Sequence, residues 1–152
     1  MTTMTETNVT VQVHQVFIRA TPEAIWDAIT KPEFTRDYLY GTRVEYDLRP
    51  GGAFRSISGD SDEVLVDGEV IEADPPSKLV QTWRFLYDPE LTAEGARRVT
   101  WEIEPGDGGV TKLTAIHELD GAPKTAEHVS GGWTYILSGL KTLLETGKPL
   151  AG

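Results

Sequence analysis

Between residues 125 and 146 the apolar positions are Val129, Trp133, Ile136, Leu137, Leu140, Leu143 and Leu144. Steps of three, four and one place them on a single stripe at helical period. The pattern predicts a helix over residues 125–146, with Thr125 as N-cap and Glu127 in the first turn. Gly147 and Pro149 supply its stop. At ~1.5 Å rise per residue such a helix is ~33 Å long, enough to cross a small domain.

Upstream the period changes. Residues 9–19 are rich in β-branched side chains and predict a first strand, although the alternation shifts near Val16 and leaves its faces unassigned. Thr21-Pro22-Glu23 starts a short helix: a hydroxyl cap, a proline at the first position, then an acid. Ile25, Trp26 and Ile29 form its stripe, and Lys31-Pro32 breaks it and begins a second short helix to about residue 38. From residue 42 onward the chain alternates at strand period over residues 44–48, 53–58, 64–73, 78–86, 97–104 and 110–119. Residues 87–96 read as a polar connection. Gly68, at the parity of Val64, Val66 and Val70, predicts a bulge or a sharp bend.

Short links between successive strands favour antiparallel pairing. The expected fold class is therefore α+β: seven antiparallel strands in one sheet, two short helices after the first strand, and a long C-terminal helix lying on the sheet. Residues 9–149 read as a single domain, and the polar residues 1–8 as a flexible N-terminal tail.

Parity sorts the strand faces. Leu79, Gln81, Trp83 and Phe85 share one face of the fifth strand, and Val99, Trp101 and Ile103 one face of the sixth. Leu113, Ala115, His117 and Leu119 share one face of the seventh. The inner wall thus holds two tryptophans, a glutamine and a histidine among aliphatics. Trp133 is added from the long helix and Trp26 from the first short one. Large aromatics with a few polar tips either fill such a space or line a cavity in it.

Composition narrows the function. The net charge of −10 argues against nucleic-acid partners and anionic membrane surfaces. No apolar run approaches the ~18 residues that a membrane span needs, and no secretory leader pattern opens the chain. The location therefore reads as cytoplasmic. With no cysteine, disulfides, thiolate catalysis and cysteine-held zinc are excluded. Three scattered histidines make a poor metal signature, and neither a phosphate-binding loop nor a nucleophile elbow is present, so no metal and no cofactor is expected.

Several segments resemble one family in their wording and order. These are Thr21 to Thr30, Arg49-Pro50-Gly51-Gly52-Ala53-Phe54-Arg55, Gly68 to Pro76, Lys78 to Phe85, Val99-Thr100-Trp101-Glu102-Ile103, and Gly132-Trp133 to Leu144. Together they are similar to the bacterial homologues of the activator of heat-shock protein 90 ATPase, within the START-like, helix-grip (SRPBCC) superfamily. The resemblance implies a sheet gripping the long helix around an internal cavity that opens near the two short helices. Many relatives carry tryptophans at the end of the second short helix, where this chain has Asp37-Tyr38-Leu39-Tyr40.

The candidate cavity residues are Trp26, Tyr38, Phe54, Gln81, Trp83, Trp101, His117, His128, Trp133 and Leu137. His117, on the apolar face of a strand, reads either as a polar anchor or acid/base inside the cavity or as a hydrogen-bonded core histidine. His128, one turn before Trp133, reads as a mouth residue or an exposed first-turn residue. His14 has no assignable facing. Arg55, Glu69 and Arg84 are further polar groups, with Arg84 expected outside. No acid/base pair of defined spacing stands out. The reading preferred is therefore binding of a small apolar or aromatic ligand. A polyketide cyclase-like enzyme and a module acting on a chaperone ATPase are the alternatives, and homodimerisation through a sheet edge or outer face stays open.

Overall fold

The structure is a computed structural model that describes residues 11–151. The expected tail, residues 1–8, lies outside the described residues. The elements are β1 (Val11–Ile18), α1 (Pro22–Thr30), α2 (Pro32–Tyr38), β2 (Arg43–Tyr46), β3 (Ala53–Ile57), β4 (Val64–Asp74), β5 (Lys78–Phe85), α3 (Pro89–Ala93), β6 (Arg97–Pro105), β7 (Thr111–Glu118) and α4 (Pro123–Thr146). The strands form one sheet in the order β1-β7-β6-β5-β4-β3-β2. Each neighbouring pair is antiparallel. The meander β2 to β7 follows from short turns, and β1 closes onto β7. The α+β architecture expected from the sequence is the one observed.

The core lies between the inner sheet face and α4. Leu79, Val99, Leu113 and Ala115 come from the sheet, and Trp133, Ile136, Leu137 and Leu140 from the helix. Thr21 caps α1 by accepting from the Ala24 amide at 3.1 Å. Tyr38 ties α2 to α1 by donating to the Ala28 carbonyl at 2.7 Å. Gly139 lets α2 approach α4: a Cβ there would lie 3.1 Å from Tyr38 Cβ. At Gly68 the backbone comes so near Thr82 that a Cβ would lie 1.8 Å from its carbonyl oxygen. The register shifts of β4 fall on either side of Gly68, between Val64 and Val66 against β3 and between Val70 and Glu72 against β5.

Three expectations change. The long helix starts at Pro123, and Thr125 is not its N-cap. Its N-terminal groups are satisfied from a distance, because the Glu94 carboxylate accepts from Thr125 N at 2.7 Å, Thr125 Oγ1 at 2.6 Å and Lys124 N at 3.1 Å. The connection after β5 contains a helical turn, α3. Asp88 accepts from Glu90 N at 2.9 Å to start it, and Leu91 is buried to hold it. Finally, β1 alternates regularly through Val16. Gln12, His14, Val16 and Ile18 face the helix, while Val13 and Phe17 point outward at 56% and 60% exposure. Polar residues occupy the inner face there because Gln12 donates to the Ala126 carbonyl of α4 at 2.9 Å and His14 stacks on Trp133.

Candidate functional site

A cavity of about 610 Å³ lies between α4 and the β3–β5 part of the sheet. Strand parity puts Phe54 and Ser56 of β3, and Trp83 and Phe85 of β5, on its sheet wall. Helical spacing puts His128, Val129, Gly132, Trp133 and Ile136 on its helix wall. The rim comes from irregular chain: Leu39 and Tyr40 after α2, and Tyr87 after β5. Gly132 keeps the helix wall open, since a Cβ there would first meet Tyr40 Oη at 3.5 Å.

At the rim Tyr87 Oη and His128 Nε2 are 2.5 Å apart in a hydrogen bond that links the end of β5 to α4. Opposite, Tyr40 is 63% exposed and stacks on Tyr135 with centroids 5.6 Å apart. It holds a left-handed conformation at φ 54, which non-glycine residues seldom adopt away from functional turns. Burial raises the pKa of both Tyr40 and Tyr87, so both phenols are neutral donors at physiological pH.

The deep wall is an aromatic stack. Trp83 and Trp133 are parallel to within 7° at 4.9 Å, and Trp101 stands edge-on to Trp133 at 5.2 Å. Behind these rings lies a buried polar layer. Trp133 Nε1 donates to His117 Nδ1 at 3.1 Å. Trp101 Nε1 and Tyr46 Oη both donate to Gln81 Oε1, at 2.9 and 2.8 Å. An indole N–H only donates, so these bonds fix the Gln81 amide orientation and leave the proton of neutral His117 on Nε2. Burial, reinforced by the positive charges of His14 and Arg97, lowers the His117 pKa from 6.5 to about 3. Burial also pushes the Tyr46 phenol well above its ordinary value.

Of the candidate residues, Phe54, Trp83, His128 and Trp133 line the cavity. Gln81, Trp101 and His117 form the layer behind its wall. Trp26, Tyr38 and Leu137 do not line it: all three are buried in the core under α1, α2 and α4. Sharing a face with a cavity residue does not place a side chain at the cavity, because the Trp83–Trp133 stack screens what lies deeper. Arg55 and Arg84 sit outside, paired with Glu45 and Asp67, and Glu69 is exposed. Sequence reasoning missed Ser56, legible from its parity with Phe54, and Tyr40 and Tyr87, which strand parity does not reach. Among the described residues no three His, Asp or Glu side chains gather as a metal site.

The model of one protein family, described as activator of Hsp90 ATPase homolog 1-like protein, matches residues 19–145. The chain belongs to this family. No curated protein matches it. Among solved structures, protein MLL2253 from Mesorhizobium loti is 24% identical with a TM-score of 0.73, covering 90% of this chain and 97% of its own. DynU16, a protein of the dynemicin biosynthetic locus, is 25% identical with a TM-score of 0.74; the match covers 91% of this chain but only 48% of DynU16. The Aha1 dimer from Colwellia psychrerythraea is 17% identical with a TM-score of 0.71, covering 91% and 98%. The sheet gripping a C-terminal helix is thus the helix-grip, START-like fold of the Hsp90-ATPase-activator homologues. Within it, this member has Tyr38 buried and Tyr40 at the cavity rim. Among the described residues no helix is long and apolar enough to cross a membrane.

Proposed function

We propose that the protein binds a small apolar or aromatic molecule between the sheet and α4. The observation that carries this is the cavity of about 610 Å³ walled by Phe54, Trp83, Phe85, Trp133 and Ile136. Its volume lies in the range of ~300–1,000 Å³ typical of small-molecule sites, and its apolar walls with a few polar tips match their usual chemistry. Burying some 200 Å² of such a ligand's surface contributes about 5 kcal/mol before association costs.

The test is titration of a panel of apolar fluorophores and aromatic compounds, followed by tryptophan quenching and melting temperature. Micromolar binders that quench Trp83 and Trp133 and raise the melting temperature are the expected outcome. A panel that moves neither signal refutes the reading. The family's description supports a second reading, a module acting on a chaperone ATPase; an unchanged ATPase rate on adding this protein refutes that one.

A further inference from the structure

We propose that Ser56 Oγ, on the sheet wall of the cavity, hydrogen-bonds an uncharged hydroxyl group of the ligand, which is thereby an apolar alcohol or phenol. This rests on the ligand-binding reading above and specifies what that ligand carries.

Ser56 lies on β3 at the inward parity of Phe54 and lines the cavity directly. Its cross-strand partners are Val44 on β2 and Val66 on β4, and Val66 pairs in turn with Phe85. One hydroxyl thus stands in an otherwise apolar row. Ser56 is only 4% exposed, and among the described residues its Oγ takes part in no hydrogen bond. Four other unpaired atoms of buried side chains, Gln81 Nε2, Trp83 Nε1, Arg97 Nε and His117 Nε2, have no accessible surface. Ser56 Oγ is not sealed in this way, and its inward parity directs it into the cavity.

The remaining polar groups around the cavity already have partners or lie in solvent. Thr42 Oγ1 donates to the Leu39 carbonyl at 2.7 Å, Tyr87 and His128 bond each other, and Tyr40 is exposed at the rim. No carboxylate, lysine or arginine lines the cavity.

A hydroxyl open to a cavity is hydrated in the free protein. A ligand that fills the space strips that water, and the hydroxyl stays unpaired unless the ligand supplies a partner. A pairing group is therefore selected and a bare hydrocarbon is penalised. The partner is uncharged, because no charged side chain on the walls would offset a buried ion. Thr42 favours a hydroxyl over a carbonyl. It precedes β2 at the inward parity of Val44, so it stands diagonally across from Ser56. With its proton committed to Leu39, Thr42 can only accept. A ligand O–H can accept from Ser56 and donate to Thr42, whereas a carbonyl meets only the first.

The decisive comparison uses two compounds of one shape, 2-naphthol and 2-methylnaphthalene, titrated calorimetrically into the whole protein. The naphthol is expected to bind about tenfold more tightly, the worth of one hydrogen bond to an otherwise unpaired hydroxyl. Ser56→Ala removes no protein hydrogen bond and is expected to fold and to abolish most of that preference. Equal affinities in the wild type overturn the inference while leaving the carrier reading intact. A naphthol preference that survives in Ser56→Ala places the ligand hydroxyl at the rim and also overturns it. If neither compound nor any member of the wider panel binds, the carrier reading falls as well. Should Ser56→Ala fail to fold, proton–proton contacts in the wild-type naphthol complex decide. Contacts between the ring protons flanking the ligand hydroxyl and the Ser56 β-protons support the proposal; contacts of those protons with Tyr40 or Tyr87 alone refute it.

Discussion

Protonating His117 is expected to cost this fold a large share of its stability. The imidazole is 0% exposed, and its folded pKa of about 3 lies below the ordinary value of 6.5. Between those values the unfolded chain binds a proton that the folded protein does not. Stability from this group is therefore complete above pH 6.5 and is lost as pH falls towards about 3. At 1.36 kcal/mol per pKa unit the full swing is roughly 5 kcal/mol, of which about 2 kcal/mol is gone by about pH 5. Against a total of about 5–15 kcal/mol for a typical domain, that is a substantial fraction. The assay is urea unfolding of wild type and His117→Gln at several pH values between about 8 and 4. Glutamine retains an acceptor for Trp133 Nε1 but carries no titrating group, and the carboxylates common to both proteins cancel in the difference. The variant should lose about 2 kcal/mol less than wild type between about pH 8 and pH 5. Parallel stability curves, or an imidazole resonance that titrates near its ordinary pH, would refute the burial argument.

Two further expectations separate open space from tight packing. Gly132→Leu should abolish or weaken ligand binding with little change in melting temperature, because its Cβ points toward the cavity rim. Gly139→Leu should leave the cavity walls in place but destabilise by about 1–3 kcal/mol through overpacking against Tyr38, measured by chemical denaturation. Glu94→Ala should cost about 1–2 kcal/mol, lowering the melting temperature by roughly 3–6 °C in calorimetry, because it strips α4 of its distant cap. Glu94→Gln should restore part of the loss. Burial pushes the Glu94 carboxyl up, but its bonds from Thr125 and Lys124 win and lower its pKa, so the benefit fades as pH falls through the carboxylate range.

Period alone was enough to read the sheet, the α4 stripe and the inner faces of β5, β6 and β7. What period cannot convey is depth. Trp83 and Trp101 share an inward parity, yet one lines the cavity and the other stands edge-on behind it, because the Trp83–Trp133 stack lies between. Nor can it convey partners far along the chain. Thr125 resembles an N-cap until Glu94, 31 positions away, takes both its amide and its hydroxyl. On β1 the polar residues point inward because α4 offers them a carbonyl and an indole face, so the usual rule of apolar-inside misleads. Tyr40 and Tyr87 sit on turns whose course is set by tertiary structure, and neither is part of any periodic pattern.

The parallel tryptophans of the deep wall also have an optical consequence. Two indoles only 4.9 Å apart, with planes 7° from parallel, have excited states that mix rather than absorb independently. Their circular dichroism therefore depends on the mutual angle of the two rings, and any guest that slides along or tilts either one rewrites the spectrum. The wall that would hold a ligand is, without label or mutation, an instrument that registers its arrival.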